Sequence, residues 1–230
     1  MSETAPVALG FTDRRVLGTI AEKALTLVGE GYPLTANSIL TGCNQKSNRD
    51  PVTDFEDGEI EDSLERLMVA KLVEKLPLSS TGRTEKYKHK LYDAWQINKP
   101  ELAILAELLL RGSQTEGELR TRASRMDEIA DLETLRDHCK KLAGRKMVVY
   151  LTAEGKRGTA LTHGYYEPDE LADERKRFAG GGEPAPRSAG PSVQELISPL
   201  EAQIKELKMQ VERLSAVVAD LQRTRPAGAS

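Results

Sequence analysis

The sequence predicts an α+β fold, mainly helical with small β-hairpins, in which one module of three helices and a hairpin is used twice. Three observations predict it. First, Ile60 to Leu91 reads as a helix with one apolar stripe (Ile60, Leu64, Leu67, Met68) that runs into a two-stranded hairpin turning at Ser79–Gly82. Apolar residues at i, i+4, i+7 and i+8 fit a helix with one buried face. Second, the same order recurs between Pro100 and Tyr165, and 67–73 lies over 142–148 at a constant offset. Third, a heptad stripe follows a Gly/Pro-rich stretch near the end of the chain.

The first helix is expected to start at Thr12 as cap, to carry Asp13 in its first turn and to bury Val16, Leu17, Ile20, Ala24, Leu27 and Val28. Gly29, Gly31 and Pro33 stop it. A second helix starts at Thr35 with Ile39, Leu40 and Cys43 inward, and the polar loop Asn44 to Pro51 follows. Thr53 and Glu56 have capping-box spacing for the third helix. In the hairpin, Lys86, Lys88 and Lys90 alternate with Tyr87, His89 and Leu91, so the lysines share one face. A helix running straight into a hairpin with a basic second strand is how a winged-helix domain ends.

In the second module Pro100 suits a first helical turn, and Leu102, Leu105 and Leu109 form a stripe ending at Gly112. Thr115 to Glu118 is a capping box ahead of Leu119 and Ala123. Leu132, Leu135, Cys139 and Leu142 make the third stripe. Met147–Leu151 and Thr159–Tyr165 are the hairpin strands, with Gly155–Gly158 at the tip. Asp169 to Phe178 has helical composition without a clear apolar stripe.

The predicted organisation is therefore a flexible arm (1–10), winged-helix domains at 11–95 and 96–167, a charged segment and Gly/Pro-rich linker (168–197), a coiled-coil helix (198–224) and a disordered tail (225–230). In the terminal helix Ile204, Val211 and Val218 occupy one heptad position and Leu200, Leu207, Leu214 and Leu221 the other. β-Branched residues at a with leucine at d favour two parallel strands. The flanking pairs (Gln203 with Lys208, Gln210 with Ser215, Val217 with Gln222) carry no opposed charges, which favours self-association over a specific heterodimer. The alternative is a helix that folds back on its own domains.

These residues resemble the YceH-like family of uncharacterised bacterial proteins with two winged-helix domains. The resemblance rests on Cys43 to Val52, on Glu85 to His89, on Glu107 to Gly112 and on Gly117 to Met126, and covers about residues 10 to 165. It implies the fold and no settled activity.

Composition narrows the function classes. The chain has 230 residues, long enough for two small domains, and its 4% aromatic content argues against an aromatic-lined pocket or a base-stacking platform. With 33 basic and 36 acidic residues the net charge is −3, so any nucleic-acid binding must come from local patches. Cys43 and Cys139 have no CxxC spacing, which favours a reducing compartment. The first ten residues lack a signal-peptide pattern, and no apolar run is long enough to span a membrane. The expected location is the cytoplasm.

Catalytic inventories fail. His89, His138 and His163 are scattered, adjacent His138 and Cys139 diverge by about 100° on a helix, and phosphate loops, nucleophile elbows and zinc motifs are missing. We expect no enzyme activity, no cofactor and no metal. The leading class is DNA binding with a regulatory role. Its candidate contacts are Lys46, Asn48 and Arg49 in the polar loop, Arg83, Lys86, Lys88 and Lys90 on the first hairpin, Arg122 and Arg125, and Lys140, Lys156 and Arg157 at the basic end of the second module, which also holds Lys141, Arg145 and Lys146. Against it, the first module's third helix opens with Glu56, Asp57, Glu59, Glu61 and Asp62, which suit the helix dipole but repel phosphates. The competing class is a protein-docking scaffold that uses the winged helices and the coiled coil. On that reading Lys86, Lys88 and Lys90 only discourage edge pairing, and Asn44 to Pro51 is an ordinary polar turn.

Overall fold

The computed structural model describes residues 6–27, 29–77 and 84–179, together with Lys205, Lys208 and Met209. The chain divides into two units, 1–187 and 188–230, and every element named below lies in the first. The fold is α+β: mostly helix, with small antiparallel sheets.

Helix α1 (Phe11–Thr26) is enclosed from Asp13 to Ala21. Three helices surround it: α2 (Ala36–Cys43), α3 (Asp57–Val69) and, most extensively, α5 (Lys99–Arg111). Close approach needs small residues. A Cβ on Gly18 would stand 3.0 Å from Leu110, and one on Gly42 of α2 would stand 2.6 Å from Thr19. Helix α5 is buried at every position from Glu101 to Leu110, the mark of a helix apolar all round and set in the middle of a core. One hydrophobic cluster therefore runs through both repeats, from Leu17 and Ile60 to Leu105, Leu135 and Leu161. Burying each such side chain contributes roughly 1.5–3 kcal/mol.

Each repeat ends in a ribbon. Strands β1 (Val73–Leu76) and β2 (Lys86–His89) pair antiparallel with Val73 opposite His89. In the second repeat β4 (Val148–Tyr150) pairs with β5 (Ala160–His163), Val148 opposite His163. Each ribbon has a further partner unforeseen in the sequence: β3 (Gln114–Thr115) pairs with β5 as a third strand, whereas the first sheet stays two-stranded and Leu34 only bridges to Tyr87, exchanging two backbone hydrogen bonds at 3.1 and 2.7 Å. A threonine there caps a helix in both cases. Thr35 accepts from the Ser38 N–H, and Thr115 accepts from Glu118 at the start of α6 (Glu116–Ala123).

Several boundaries move. Helix α1 is capped by Gly10, not Thr12, because the chain is already fixed at Leu9, whose N–H donates to the Tyr165 carbonyl at 2.9 Å and whose carbonyl accepts from Arg14. Leu9 is thus buried, although the sequence pattern puts it in the arm. The helix stops at Thr26, which leaves Leu27 outside it and 39% exposed and Ala24 only partly buried; Val28 lies outside the described residues. Glu56, not Thr53, caps α3, its N–H donating to Glu59 at 2.9 Å. Thr53 is drawn into the loop instead, donating to the Cys43 carbonyl and accepting from Arg15. Lys90 and Leu91 do not extend β2: Lys90 caps a short helix, α4 (Leu91–Trp95). In α7 (Leu132–Gly144) Asp131 is the cap, which turns Leu132 outward at 39% exposure while Leu135, Cys139 and Leu142 are buried. Asp169 to Phe178 lies in a helix, α8 (Pro168–Ala179), held by Phe178 and by charged anchors: Glu170 receives two 2.7 Å hydrogen bonds from Arg14, and Ser113 donates to Glu174.

Both ribbons end on a histidine whose Nδ1 accepts the N–H two residues on, His89 from Leu91 at 3.2 Å and His163 from Tyr165 at 3.3 Å. That bond needs an unprotonated Nδ1. Burial holds His89 down at about 4 from its ordinary 6.5. An unfolded chain takes up this proton near pH 6.5, whereas the folded one resists until about 4, so stability contributed by neutral His89 is lost as pH falls through that window. The loss reaches up to about 3 kcal/mol. His89→Asn keeps an acceptor and removes the titration. Its urea midpoint is expected to fall less than the wild type's between pH 6.5 and 4; parallel curves would assign the acid sensitivity elsewhere.

Candidate nucleic-acid interface

The residues expected to meet phosphate separate into three groups. The first group is bonded to other parts of the protein. Arg49 has a side chain with 0% exposure; its Nη2 lies 2.7 Å from Glu22 Oε2, its Nε donates to the Gly42 carbonyl at 2.9 Å, and its Nη1 donates to the Asn48 carbonyl at 2.8 Å. It is a core cation, and no phosphate reaches it. Asn48, in the left-handed region at φ 59, turns its Oδ1 to Arg111 at 3.0 Å and Arg125 at 2.7 Å. Those arginines also flank Glu107, whose side chain is 2% exposed, with Arg111 Nε 3.2 Å and Arg125 Nη2 3.6 Å from its oxygens. Burial pushes the Glu107 carboxyl up, and the three neighbouring arginines pull it back. Arg122 completes this joint, bound to Gln114 at 2.8 Å and Glu118 at 3.1 Å. Asn48, through Arg111 and Arg125, thus ties the first repeat's loop to the second repeat, while Arg49 is bonded within the first repeat and Arg122 within the second. The clue available in the sequence was Glu107, a charge set among the leucines and alanines of α5.

The second group lies on the first ribbon and is answered by acids. Glu74, across the ribbon from Lys88, stands 3.5 Å from Lys88 and 3.9 Å from Lys90. Lys75 and Glu85 pair at 2.5 Å. Lys86 is exposed, as is Lys46 in the loop; Arg83 falls outside the described residues. Beside this ribbon, α3 exposes Asp57, Glu61, Asp62 and Glu65, and the charges of Glu65 and Glu61 reach Lys75 and Tyr87. On the lysine-rich face read from sequence, one carboxylate, Glu74, thus answers both Lys88 and Lys90, and Lys86 has no ion pair among the described residues.

The third group is the far end of the second repeat. Lys140 and Lys141 sit on the last turns of α7, where cations complement the helix dipole. Lys146 follows, and Lys156 and Arg157 form the tip between β4 and β5. All five are exposed, and none takes part in an ion pair among the described residues. Arg145 is used otherwise, donating to the carbonyls of Trp95 and Gln96. The outer face of α7 also carries Glu133 and Asp137 towards its start, while Arg136 is 2.8 Å from Glu116.

Other chemistry has little to build on. Burial pushes the Cys43 thiol up to about 11 and the Cys139 thiol to about 12, so both stay protonated and unreactive at neutral pH. His138 Nδ1 lies 3.5 Å from Glu101 in a half-buried pair. Among the described residues no three His, Cys, Asp or Glu side chains are grouped to hold a metal ion, and no helix is long and apolar enough to cross a membrane. Leu200, Ile204, Leu207, Val211, Leu214, Val218 and Leu221 lie outside the described residues; Lys205, Lys208 and Met209, which fall between them, are helical and exposed.

Comparison with known proteins agrees with this picture in extent. Residues 9–158 match the family model described as "Protein of unknown function, DUF480", a span that contains the Asn48–Glu107–Arg125 joint and the second ribbon's tip. The UPF0502 protein RB6530 of Rhodopirellula baltica is 39% identical over 189 residues, 80% of this chain and 78% of that one. A UPF0502 protein of Geotalea daltonii is 45% identical over 139 residues, covering 60% and 62% of the two chains. The UPF0502 protein YceH of Salmonella paratyphi C is 35% identical over 218 residues, 90% of this chain and 96% of its own. On these matches the chain belongs to the DUF480, or UPF0502, family of YceH-like bacterial proteins, a family without an established function.

Proposed function

We propose that this chain is a non-enzymatic, cytoplasmic DNA-binding protein with a regulatory role, built from two winged-helix repeats, of which the second meets the duplex. The observation that carries this is the contrast between the two ends. Of the first repeat's candidate cations, Lys88 and Lys90 face Glu74 and Arg49 is buried, which leaves Lys46 and Lys86 exposed and apart, whereas Lys140, Lys141, Lys146, Lys156 and Arg157 are all exposed and without an ion pair among the described residues. Free cations at a helix end and a ribbon tip release counterions when they meet phosphate, and that release supplies most of the affinity for DNA of any sequence. The acidic outer face of α3 turns the first repeat away from the same duplex.

Fluorescence anisotropy on random-sequence duplex at rising salt tests the reading. Lys140→Glu with Lys156→Glu is expected to weaken binding and to lower the log–log salt slope by about 0.9 for each phosphate no longer neutralised. Lys88→Glu, beside Glu74, is expected to change little. Equal slopes in wild type and double variant would remove these residues from the interface.

A second reading, docking of partner proteins, is favoured by the exposed acids of α3 together with Val69, 85% exposed at its end. Absence of any DNA binding at low salt would put this reading first. In either case we propose self-association through a parallel two-stranded coiled coil over 198–224, on the heptad pattern alone. Removing the chain beyond Gly190 is expected to halve the mass seen by light scattering; an unchanged mass would leave the coiled coil without a role.

A further inference from the structure

We infer that the acidic face of α3 docks on the basic end of the second repeat of another copy of this chain. The inference goes beyond the DNA-binding reading and does not depend on it, although it calls on the same cations.

Helix α3 carries more negative charge than its own fold uses. Between Asp54 and Glu65 there are seven acids and no base. Glu56 and Glu59 form the capping box, and Asp57 lies in the first turn, where the helix dipole favours it. That favour fades within a turn, and Glu61, Asp62 and Glu65 lie beyond it. Asp57, Glu61 and Glu65 follow one another at i, i+4 on one face, all exposed, and like charges at that spacing weaken a helix. None of the three is in an ion pair among the described residues. Arg66, the cation within α3, is taken by Asp13 at 2.8 Å, and Lys75, which feels Glu65, pairs with Glu85 at 2.5 Å. Val69, four residues further along the row, is 85% exposed. A cationic partner would relieve a repulsion that the chain leaves in place.

The second repeat holds the complement. Between Lys140 and Arg157 six bases stand against one acid, Glu154. Arg145 is engaged with the carbonyls of Trp95 and Gln96, and the other five are exposed without an ion pair among the described residues. The acids within α7, Glu133 and Asp137, lie towards its start. Helix α3 packs on α1, α2 and β1, and α7 on α5, α6 and β4, so each charged face stays exposed in its own chain. A surface that complements a different surface of the same molecule pairs copies heterologously, and opposite potentials steer the encounter. Duplex DNA would compete with α3 for these cations.

The test is zero-length carbodiimide cross-linking of the full-length protein, using equal parts of heavy-isotope-labelled and unlabelled chain so that bonds between copies are recognised by mass. At low salt, mixed-label cross-links are expected to join peptides holding Glu61 or Glu65 to peptides holding Lys140 or Lys141. At about 1 M salt, where the Debye length is about 3 Å, they should fall about tenfold. The coiled coil proposed for 198–224 has no opposed flanking charges and does not supply this salt dependence.

Glu61→Lys with Glu65→Lys, and separately Lys140→Glu with Lys141→Glu, are each expected to cut the cross-links about tenfold. A one-to-one mixture of the two variants should restore them, because the reversed α3 of one then meets the reversed α7 of the other. All four residues are exposed, so each variant should melt with the wild type, which a thermal scan verifies. Cross-links confined to single chains, equal yields at both salts, or no recovery in the mixture overturn the docking. Added random-sequence duplex is expected to suppress the cross-links. If they persist undiminished beside the duplex, the docking stands and the DNA-binding reading loses the second repeat.

Discussion

Arg49→Ala is expected to lower the free energy of unfolding by about 3–5 kcal/mol, the range for removing one partner of a buried ion pair. The reason lies in what is left behind. Glu22, 12% exposed, loses the guanidinium at 2.7 Å, and the carbonyls of Gly42 and Asn48 lose their donors. A largely buried charge left with only Lys23, 3.7 Å away, and two unsatisfied acceptors cost far more than the net gain from the original bonds. Arg49→Lys keeps the charge but cannot serve Glu22 and two carbonyls from one ammonium, so it should recover only part of the loss. Chemical denaturation followed by circular dichroism reads the difference. Any folded fraction should bind DNA as the wild type does. Near-wild-type stability with weakened DNA binding would return Arg49 to the surface role suggested by its sequence position.

Gly164→Ala is the other large effect, expected at about 3 kcal/mol or more, at the top of what overpacking costs. A Cβ there would stand 1.8 Å from the Lys146 carbonyl oxygen and 2.9 Å from its carbonyl carbon. The obstacle is backbone, so no rotamer change relieves it. Nor can the strand retreat freely, because Gly164 donates to the Met147 carbonyl at 2.9 Å and the next residue, Tyr165, stacks on Trp95 and accepts from Leu9. The ribbon of the second repeat should open first, which hydrogen exchange at Val149 and Thr162, opposite one another in the ladder, would register as diminished protection. By contrast, a Cβ on Gly42 meets only a methyl of Thr19, a neighbour that can turn aside. If Gly164→Ala melted with the wild type, the approach of the two strands would be looser than described.

How much of the fold is legible in the sequence depends on the range of the cause. Stripes and caps are local, and they mark α5 and α6 within a residue or two; the pairing of both ribbons follows from alternation and turn residues. The errors at Thr12 and Thr53 have one origin. Each is a good capping residue by type, but a distant partner decides the outcome: Tyr165 anchors Leu9, and Arg15 with Cys43 claims Thr53. Two of the polar loop's binding candidates, Asn48 and Arg49, are bound internally for the same reason, whereas Lys46 is exposed. Asn48 meets arginines 63 and 77 residues away, and Arg49 meets a glutamate 27 residues away. Within a polar loop nothing distinguishes a solvated cation from a structural one. Helix α8 is marked only by its composition because its anchors, Glu170 and Glu174, are charged and make no apolar stripe. Lys140, Lys156 and Arg157 are legible as exposed because they sit where cations usually do, at a helix end and a turn.

Helix α5 opens the second copy of the module by sequence, yet it is α1 of the first copy that it covers most. Duplicated segments normally stay interchangeable parts, free to be recombined, permuted or lost one at a time. Here that freedom is gone. A break just ahead of Lys99 would leave one fragment with a bare greasy furrow and the other with a greasy rod, so the two copies are expected to unfold as a pair.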